Sequence, residues 1–447
     1  MSFDLVVRGG TVVSAAGRER QDVYVRDGRV AAVLSPDESE PADTVVEADG
    51  RFVLPGMVDT HVHLMEPGDP TREDFPTGSF AAARRGVTTI VEHTHGWPLT
   101  SAERLEEKRQ HLRGRSHVDF GLAAHVFPEH LEQLGPLWRG GVTFFKIFTC
   151  ATHGVPATTA DVLLDVFTDL ASLDAACLIH CEDDLMTAHN ERRLKAEGRI
   201  DPGVIPEWRS REAELVAVGS TAMLAKVTGV RATVAHASSA DVIDLVTRER
   251  AAGSPIVVET CPQYLHLHED EILEHGPLRK FTPPARIRTS EDEDRMWQAF
   301  NGGAVNHLST DHAPATLAQK QEGTIWECHF GLPGLDTTLP LMIQAALSGR
   351  TTLERVVEAY SQRPAEWYRL PNKGRLEVGY DADIVIVDPE PVWQITDDDV
   401  TSRAGWSPYS GVAVKGEIAT VLLRGQPIAD GSEPQGRFLP GPGVAAR

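Results

Sequence analysis

Six side chains stand where chemistry is possible. His61 and His63 lie in the run "GMVDTHVH", Lys146 in "VTFFKIF", His180 in "ACLIHCE", His236 in "ATVAHAS" and Asp311 in "AVNHLSTD". A histidine alone at the end of an apolar run reads as a hydrogen-bonded core residue. Asp311 alone reads as a helix cap, and Lys146 alone as the partner of a carboxylate. Four imidazoles and a carboxylate brought together are a donor set for borderline metals such as zinc. The lysine fits the same picture. An isolated ammonium among phenylalanines would cost several kcal/mol or lose its proton. A neutral amine can add carbon dioxide and become a carbamate, a carboxylate in all but name. Its two oxygens can reach two metal ions, and the burial penalty becomes an attraction.

What could bring these six together is a parallel α/β fold. Eight short apolar runs ("GMVDTHVH", "VTTIVEH", "DFGLAAHV", "VTFFKIF", "ACLIHCE", "ATVAHAS", "PIVVETC" and "AVNHLSTD") alternate with stretches of helical spacing such as "SAERLEEKRQHL" and "REAELVAVGSTAMLAKV". Eight strands with crossover helices predict an α/β fold, a (β/α)8 barrel of the TIM type, over residues 55–370. His61 and His63 then end the first strand, Lys146 sits in the fourth, and His180, His236 and Asp311 end the fifth, sixth and eighth, all projecting into the C-terminal mouth, where such barrels carry chemistry. His61 and His63, two apart on a strand, share a face. The flanking segments, 1–54 and 371–430, alternate apolar and polar residues between glycines and predict one small β-sandwich split in sequence. The Gly/Pro-rich tail, 431–447, predicts an extended arm.

Composition narrows the function classes. The chain has 447 residues, 41% of them hydrophobic, enough for a large core and a second module. With 43 basic and 65 acidic residues the net charge is -22, which argues against nucleic acid as a partner. No apolar run approaches the ~18 residues of a membrane span, and the first residues, "MSFDLVVRGG", do not read as a signal peptide. Five cysteines without a C-x-x-C pattern predict free thiols and a cytoplasmic protein.

Taken in order, "PGMVDTHVH", "GVTTIVE", "FFKIF", "LIHCED", "AHASS", "ETCPQYL", "FTPPAR", "STDHAP", "GLPGLDT" and "GYDADIVIVD" resemble the signatures of the cyclic amidases of the amidohydrolase superfamily. That group includes allantoinases, dihydropyrimidinases (hydantoinases) and dihydroorotases. The resemblance covers essentially the whole chain. It implies two divalent ions, zinc first. His61, His63 and Asp311 would hold one, His180 and His236 the other, with N-carboxylated Lys146 bridging them. It implies attack by a hydroxide between the metals, with Asp311 carrying the proton to the leaving nitrogen. His312, next to Asp311, reads equally as support for the site from behind and as ordinary packing. A homo-oligomer, a tetramer, is the family expectation.

Departures from the family patterns bear on the substrate. Met65 stands where dihydroorotases carry an arginine, and Ala151 where dihydropyrimidinases carry a tyrosine. "EPGDPTREDFPTGSFAAARRGVTT", "FTCATHG" and "SPYSG" resemble allantoinases, which makes an allantoinase-like ring opening the leading reading and another dihydropyrimidinase or hydantoinase activity the alternative. The turn "EHTHGWP" is unusual and predicts His93, His95 and Trp97 near the mouth. Thr282, and Phe330 with Gly331, match positions that contact the cyclic amide through the backbone. Two other classes compete. A non-catalytic scaffold related to dihydropyrimidinases need not keep all six metal-site residues, and a mononuclear deaminase would not need Lys146.

Overall fold

The computed structural model describes residues 2–446. Met1 and Arg447, the outermost residues of the expected first and last segments, lie outside it. Eight parallel strands form the barrel: Met57–Val62, Val87–Glu92, Asp119–Leu122 continued by Ala124–His125, Phe145–Phe148, Ala176–His180, Arg231–Val234, Ile256–Thr260 and His307–Leu308. These are the eight apolar runs of the sequence. Each strand pairs in parallel with the next, for example Lys146 with Leu178 and Phe148 with His180. Closure between the last and first strands is brief. Val62 pairs with His312, and the His63 N–H donates to the His312 carbonyl at 2.8 Å.

The crossover helices form where the helical spacing predicts them. They include Phe75–Arg84, Ala102–His111, Ala160–Ser172, Arg211–Thr228 and Ala240–Ala251. Side-chain oxygens of Asp74, Ser101 and Ser210 accept from backbone N–H groups in the first turns of three of them. Such caps satisfy donors that a helix start leaves unpaired. The barrel interior is filled by Val58, Val91, Phe144, Leu178 and Ala235, and Tyr368 joins the same cluster.

The flanking segments meet in two sheets. One orders Arg29–Leu34, Asp22–Arg26, Phe3–Arg8 and Ala42–Glu47; the other orders Gln426–Pro427, Ala413–Leu423, Ile384–Gln394, Phe52–Pro55, Thr11–Ser14 and Gly17–Arg20. Val7, Val23 and Val25 of the first sheet pack on Val53, Ile384 and Leu422 of the second, so the small unit is a β-sandwich. Phe52–Pro55 leads directly into the first barrel strand through Gly56. A Cβ there would lie 2.0 Å from Thr88 Oγ1, so only glycine lets the two strands approach.

The C-terminal tail lies against the barrel. Leu439 N–H donates to the Phe120 carbonyl at 2.7 Å, and Gly441 N–H to the Gly141 carbonyl at 2.8 Å. Asp119 ties three parts of the chain together, accepting from Lys373 at 2.6 Å, from the Arg437 backbone at 2.8 Å and from Arg424. Among the described residues no helix is long and apolar enough to cross a membrane. All five cysteines are free and buried.

Candidate metal centre

The barrel brings the six residues to one place. Asp311 Oδ1 lies 3.1 Å from His61 Nε2 and 3.4 Å from His63 Nε2. Lys146 Nζ lies 3.2 Å from His61 Nε2. Across the mouth, His180 Nδ1 faces His236 Nε2 at 3.0 Å. Donors around one tetrahedral zinc, each about 2.0–2.1 Å from it, sit roughly 3.4 Å apart. Both groups have that order of spacing, and His61, His236 and Asp311 also fall within 4.8 Å of one another. His236 and Asp311 have φ of 37° and 48°, left-handed backbone that non-glycine residues seldom adopt. Strain of this kind collects at functional sites.

The outward nitrogens are held as metal-binding histidines usually are. His61 Nδ1 meets Glu259 at 2.6 Å, His63 Nδ1 meets the His93 carbonyl at 2.9 Å, and His180 Nε2 meets Glu182 at 2.6 Å. Glu182 also accepts from Thr282 Oγ1 at 2.8 Å and from Arg209 at 3.2 Å. Burial works against its charge, but Arg209 and His180 outweigh burial and bring its pKa to about 2. Below the mouth, buried Asp59 accepts from Tyr360 at 2.7 Å and from the His61 and Thr310 N–H groups at 3.2 Å each. Those two backbone bonds fix the ends of the first and last strands relative to each other.

Electrostatics suit the same use. Burial lowers the pKa values of His63, His180 and His236, favouring the neutral imidazoles that metals bind. Burial also brings Lys146 down to about 8, with Asp311 and Glu259 only partly offsetting it. Among the described residues no carboxylate lies within ion-pair distance of its amine. Burial opposes ionisation of Asp311, yet its close contacts with His61 and His63 and the nearby Lys146 prevail and hold its carboxyl below the usual range.

A cavity of about 320 Å³ opens over these residues. Met65, His95, Thr282, Phe330 and Gly331 line it. His93 does not. It is buried behind His61 and His63, with ring centroids 4.7 and 4.6 Å away. Ala151 also lies outside the cavity. It is exposed, and its N–H donates to Asp184 at 2.8 Å. The loop after the lysine sends His153 into the cavity instead, at a φ of 53°. Gly331 does line the cavity, but its backbone is occupied: its N–H donates to the Lys280 carbonyl at 3.0 Å, and its carbonyl accepts from Lys320 at 3.0 Å. His312 holds a loop, its Nδ1 accepting from the Gly334 N–H at 3.1 Å.

Residues 52–428 match the amidohydrolase family. This chain belongs to the amidohydrolase family. It is 32% identical over 453 residues to the allantoinase of Salmonella choleraesuis (strain SC-B67), covering 98% of this chain and 99% of that one. It is 30% identical over 441 residues to the L-hydantoinase of Paenarthrobacter aurescens, covering 96% and 95%. Among solved structures, the L-hydantoinase (dihydropyrimidinase) from Arthrobacter aurescens matches with a TM-score of 0.93 at 30% identity, over 98% of this chain and 100% of that one. The dihydropyrimidinase from Brevibacillus agri NCHU1002 matches at 0.90 and 28%, over 97% and 98%. The expectation of a hydrolase of this superfamily, on a barrel with a β-rich flanking domain, is borne out.

Several cavity residues of this amidohydrolase escaped the sequence reading. Arg72 reaches the cavity while its Nε donates to the Pro314 carbonyl at 2.9 Å. Asp69, Phe148, His153 and His329 line it too. Glu182 and Glu259, which hold the ligand-like histidines, lie in the runs "ACLIHCE" and "PIVVETC". A carboxylate in a wholly apolar strand is the signal that marks Glu259.

Proposed function

We propose that this protein hydrolyses a small cyclic amide, ureide or imide, with allantoin-like five-membered rings first, at a centre of two divalent metal ions. His61, His63 and Asp311 would hold one ion, His180 and His236 the other. Lys146 would link them as a carbamate, and the imidazole-rich set suits zinc. Lys146 carries the reading: a fully buried amine, 3.2 Å from one imidazole and among three more, with no carboxylate in ion-pair reach among the described residues. Metal ions, when bound, supply Lewis acidity toward a carbonyl and toward water.

The chain's own residues account for the rest of the reaction. Asp311, kept ionised at the cavity floor, accepts a proton from the attacking water. A C–O bond forms, the ring C–N bond breaks, and Asp311 returns the proton to the leaving nitrogen. Phe148, Phe330 and Met65 give the cavity apolar walls for a ring. His95, Arg72 and His329 supply polar contacts at its edge. The cavity size falls at the lower end of small-molecule sites, about 300–1,000 Å³.

Arg72 favours a second reading within the same chemistry. Met65 removes the cation expected for a carboxylate-bearing ring, but Arg72 returns one to the cavity. A ring with an acidic substituent is therefore the alternative substrate class. Cytoplasmic residence accords with the five free, buried thiols. The test is kcat/KM on allantoin, hydantoin, dihydrouracil, dihydroorotate and succinimide with metal-loaded protein. Ring opening of allantoin or another five-membered ring ahead of dihydrouracil and dihydroorotate is expected. A preference for dihydroorotate selects the Arg72 reading, and no turnover of any of the five overturns both.

A further inference from the structure

Beside the six residues lies a group of histidines outside the proposed binuclear centre. His93, His95 and His125 offer ring nitrogens that all lie within 4.8 Å of one another. They come from the end of the second strand and from the broken third strand. We propose that these three residues form an additional metal site, selective for a borderline divalent ion such as Zn2+, Co2+ or Ni2+.

Unpaired polarity is the first argument. His93 and His125 are buried, and both ring nitrogens of each lack a hydrogen-bond partner among the described residues. His95 Nε2 is buried and unpartnered as well. A neutral imidazole has one donor and one acceptor, and leaving them unmade in an interior is costly. Five such nitrogens in one place point to something polar between them. Three neutral imidazoles and nothing acidic is a donor set that borderline metals accept and that calcium and magnesium, which take oxygen, do not.

Ring arrangement is the second. His95 and His125 meet edge to face, with centroids 5.5 Å apart and planes at 83°; His93 and His125 also meet at an edge, at 6.3 Å. The outer faces are held by other rings: His153 stacks on His95 at 4.9 Å, and Phe148 lies parallel to His125 at 6.4 Å. Small rotations would bring the nitrogens to the roughly 3.4 Å spacing of a tetrahedral site. His95 borders the cavity, so an ion held here is reachable by water or by a polar group of the substrate.

His93 is shared with another grouping, His61 with His63 and His93. His95 and His125 belong to no other such grouping among the described residues, so the metal count uses them. The full chain is stripped with chelator, reloaded with Co2+ and passed through a desalting column. Bound metal is then counted by mass spectrometry, and the visible cobalt spectrum is recorded. Wild type is expected to hold three ions per chain, and His95→Gln and His125→Gln two each, with loss of one set of cobalt bands. Circular dichroism checks folding. Should His125→Gln not fold, His95→Gln, at the partly open cavity edge, decides alone. Two ions in wild type with two in each variant overturns the proposal, as does a third ion that neither variant removes. His180→Gln probes the binuclear reading separately: an ion lost there and not at His95 or His125 leaves that reading standing and this one refuted, and the converse pattern does the reverse.

Discussion

Replacing Glu259 by glutamine tests how the proposed ligand His61 is tuned. The Glu259 carboxylate is fully buried. It contacts His61 Nδ1 at 2.6 Å and accepts from the His236 backbone N–H at 3.2 Å and the Ser309 hydroxyl at 3.0 Å. A proton on His61 Nδ1 leaves Nε2 bare, facing Asp311 and Lys146. Glutamine keeps one acceptor oxygen for His61 and can donate to the Ser309 hydroxyl, so the shape survives and the charge goes. Hydrogen bonds to charged groups contribute about 1.5–3 kcal/mol and neutral ones about 0.5–1.5. The difference, about 1–1.5 kcal/mol, corresponds to roughly tenfold in affinity. Glu259→Gln should therefore bind metal about tenfold more weakly and remain folded. Glu259→Ala leaves three donors unpaired at about 1–3 kcal/mol each. The sum, roughly 3–9 kcal/mol, rivals the whole stability of an ordinary domain. Competition with a chromogenic chelator measures the first effect, and Tm the second. Metal affinity in Glu259→Gln equal to wild type would remove His61 Nε2 from the ligand set. Equal Tm values for the two variants would mean that the hydrogen bonds counted here contribute nothing.

Lys146→Ala should lose metal and activity by several orders of magnitude, and a short carboxylic acid such as propionate should restore part of both; two ions and full turnover in the variant rule out a bridging role. Asp311→Asn should lower kcat by about 10²–10⁴ with the fold intact, since proton transfer of this kind contributes about that much; near-native kcat takes Asp311 out of the proton path. Glu214 bears on stability. It is buried, bonded to Ser238, and burial raises its pKa from 4.5 to about 7 although Arg286 pulls the other way. Between those two values the unfolded chain ionises while the fold keeps the proton, so stability falls as pH rises and the full penalty, about 3 kcal/mol, applies above 7. Glu214→Gln should then have a higher Tm than wild type at pH 8 and nearly the same Tm at pH 4.5, and a Tm difference independent of pH counts against the shift.

The barrel was legible from periodicity, and with it His61, Lys146 and His180, which lie within their strands; His63, His236 and Asp311 lie one, two and three residues past theirs. A strand residue two places from another shares its face, and an apolar run long enough for one strand has one C-terminal end. That places His61, Lys146 and His180 without knowledge of any loop, whereas His236 and Asp311 also depend on left-handed backbone at their own positions, with φ of 37° and 48°. The same rule correctly put His93 and His95 on one side of their strand. It could not say how deep each would sit, because depth depends on where the barrel ends and the loop begins. His93 falls below that line, against His61, and His95 above it, on the cavity.

The cavity wall was less legible for a physical reason. His153 reaches it only because its own backbone takes a φ of 53°, a conformation that no pattern of apolar residues announces. Phe330 and Gly331 are held there by Lys320, whose buried amine donates to the carbonyls of Lys280 and His329 at 2.9 Å and of Gly331 at 3.0 Å. In sequence such a lysine looks like any surface cation. In the fold it fixes a loop by its carbonyls, and burial lowers its pKa to about 7. Cation-to-carbonyl pins of this kind depend on the loop path, and the loop path depends on them, so neither follows from local spacing. Residues that face the cavity are placed by these mutual contacts, whereas the six residues proposed to face the metals lie in the strands or within three residues of their ends. Substitutions in the loops can therefore change which ring is bound while leaving the six strand-end residues in place.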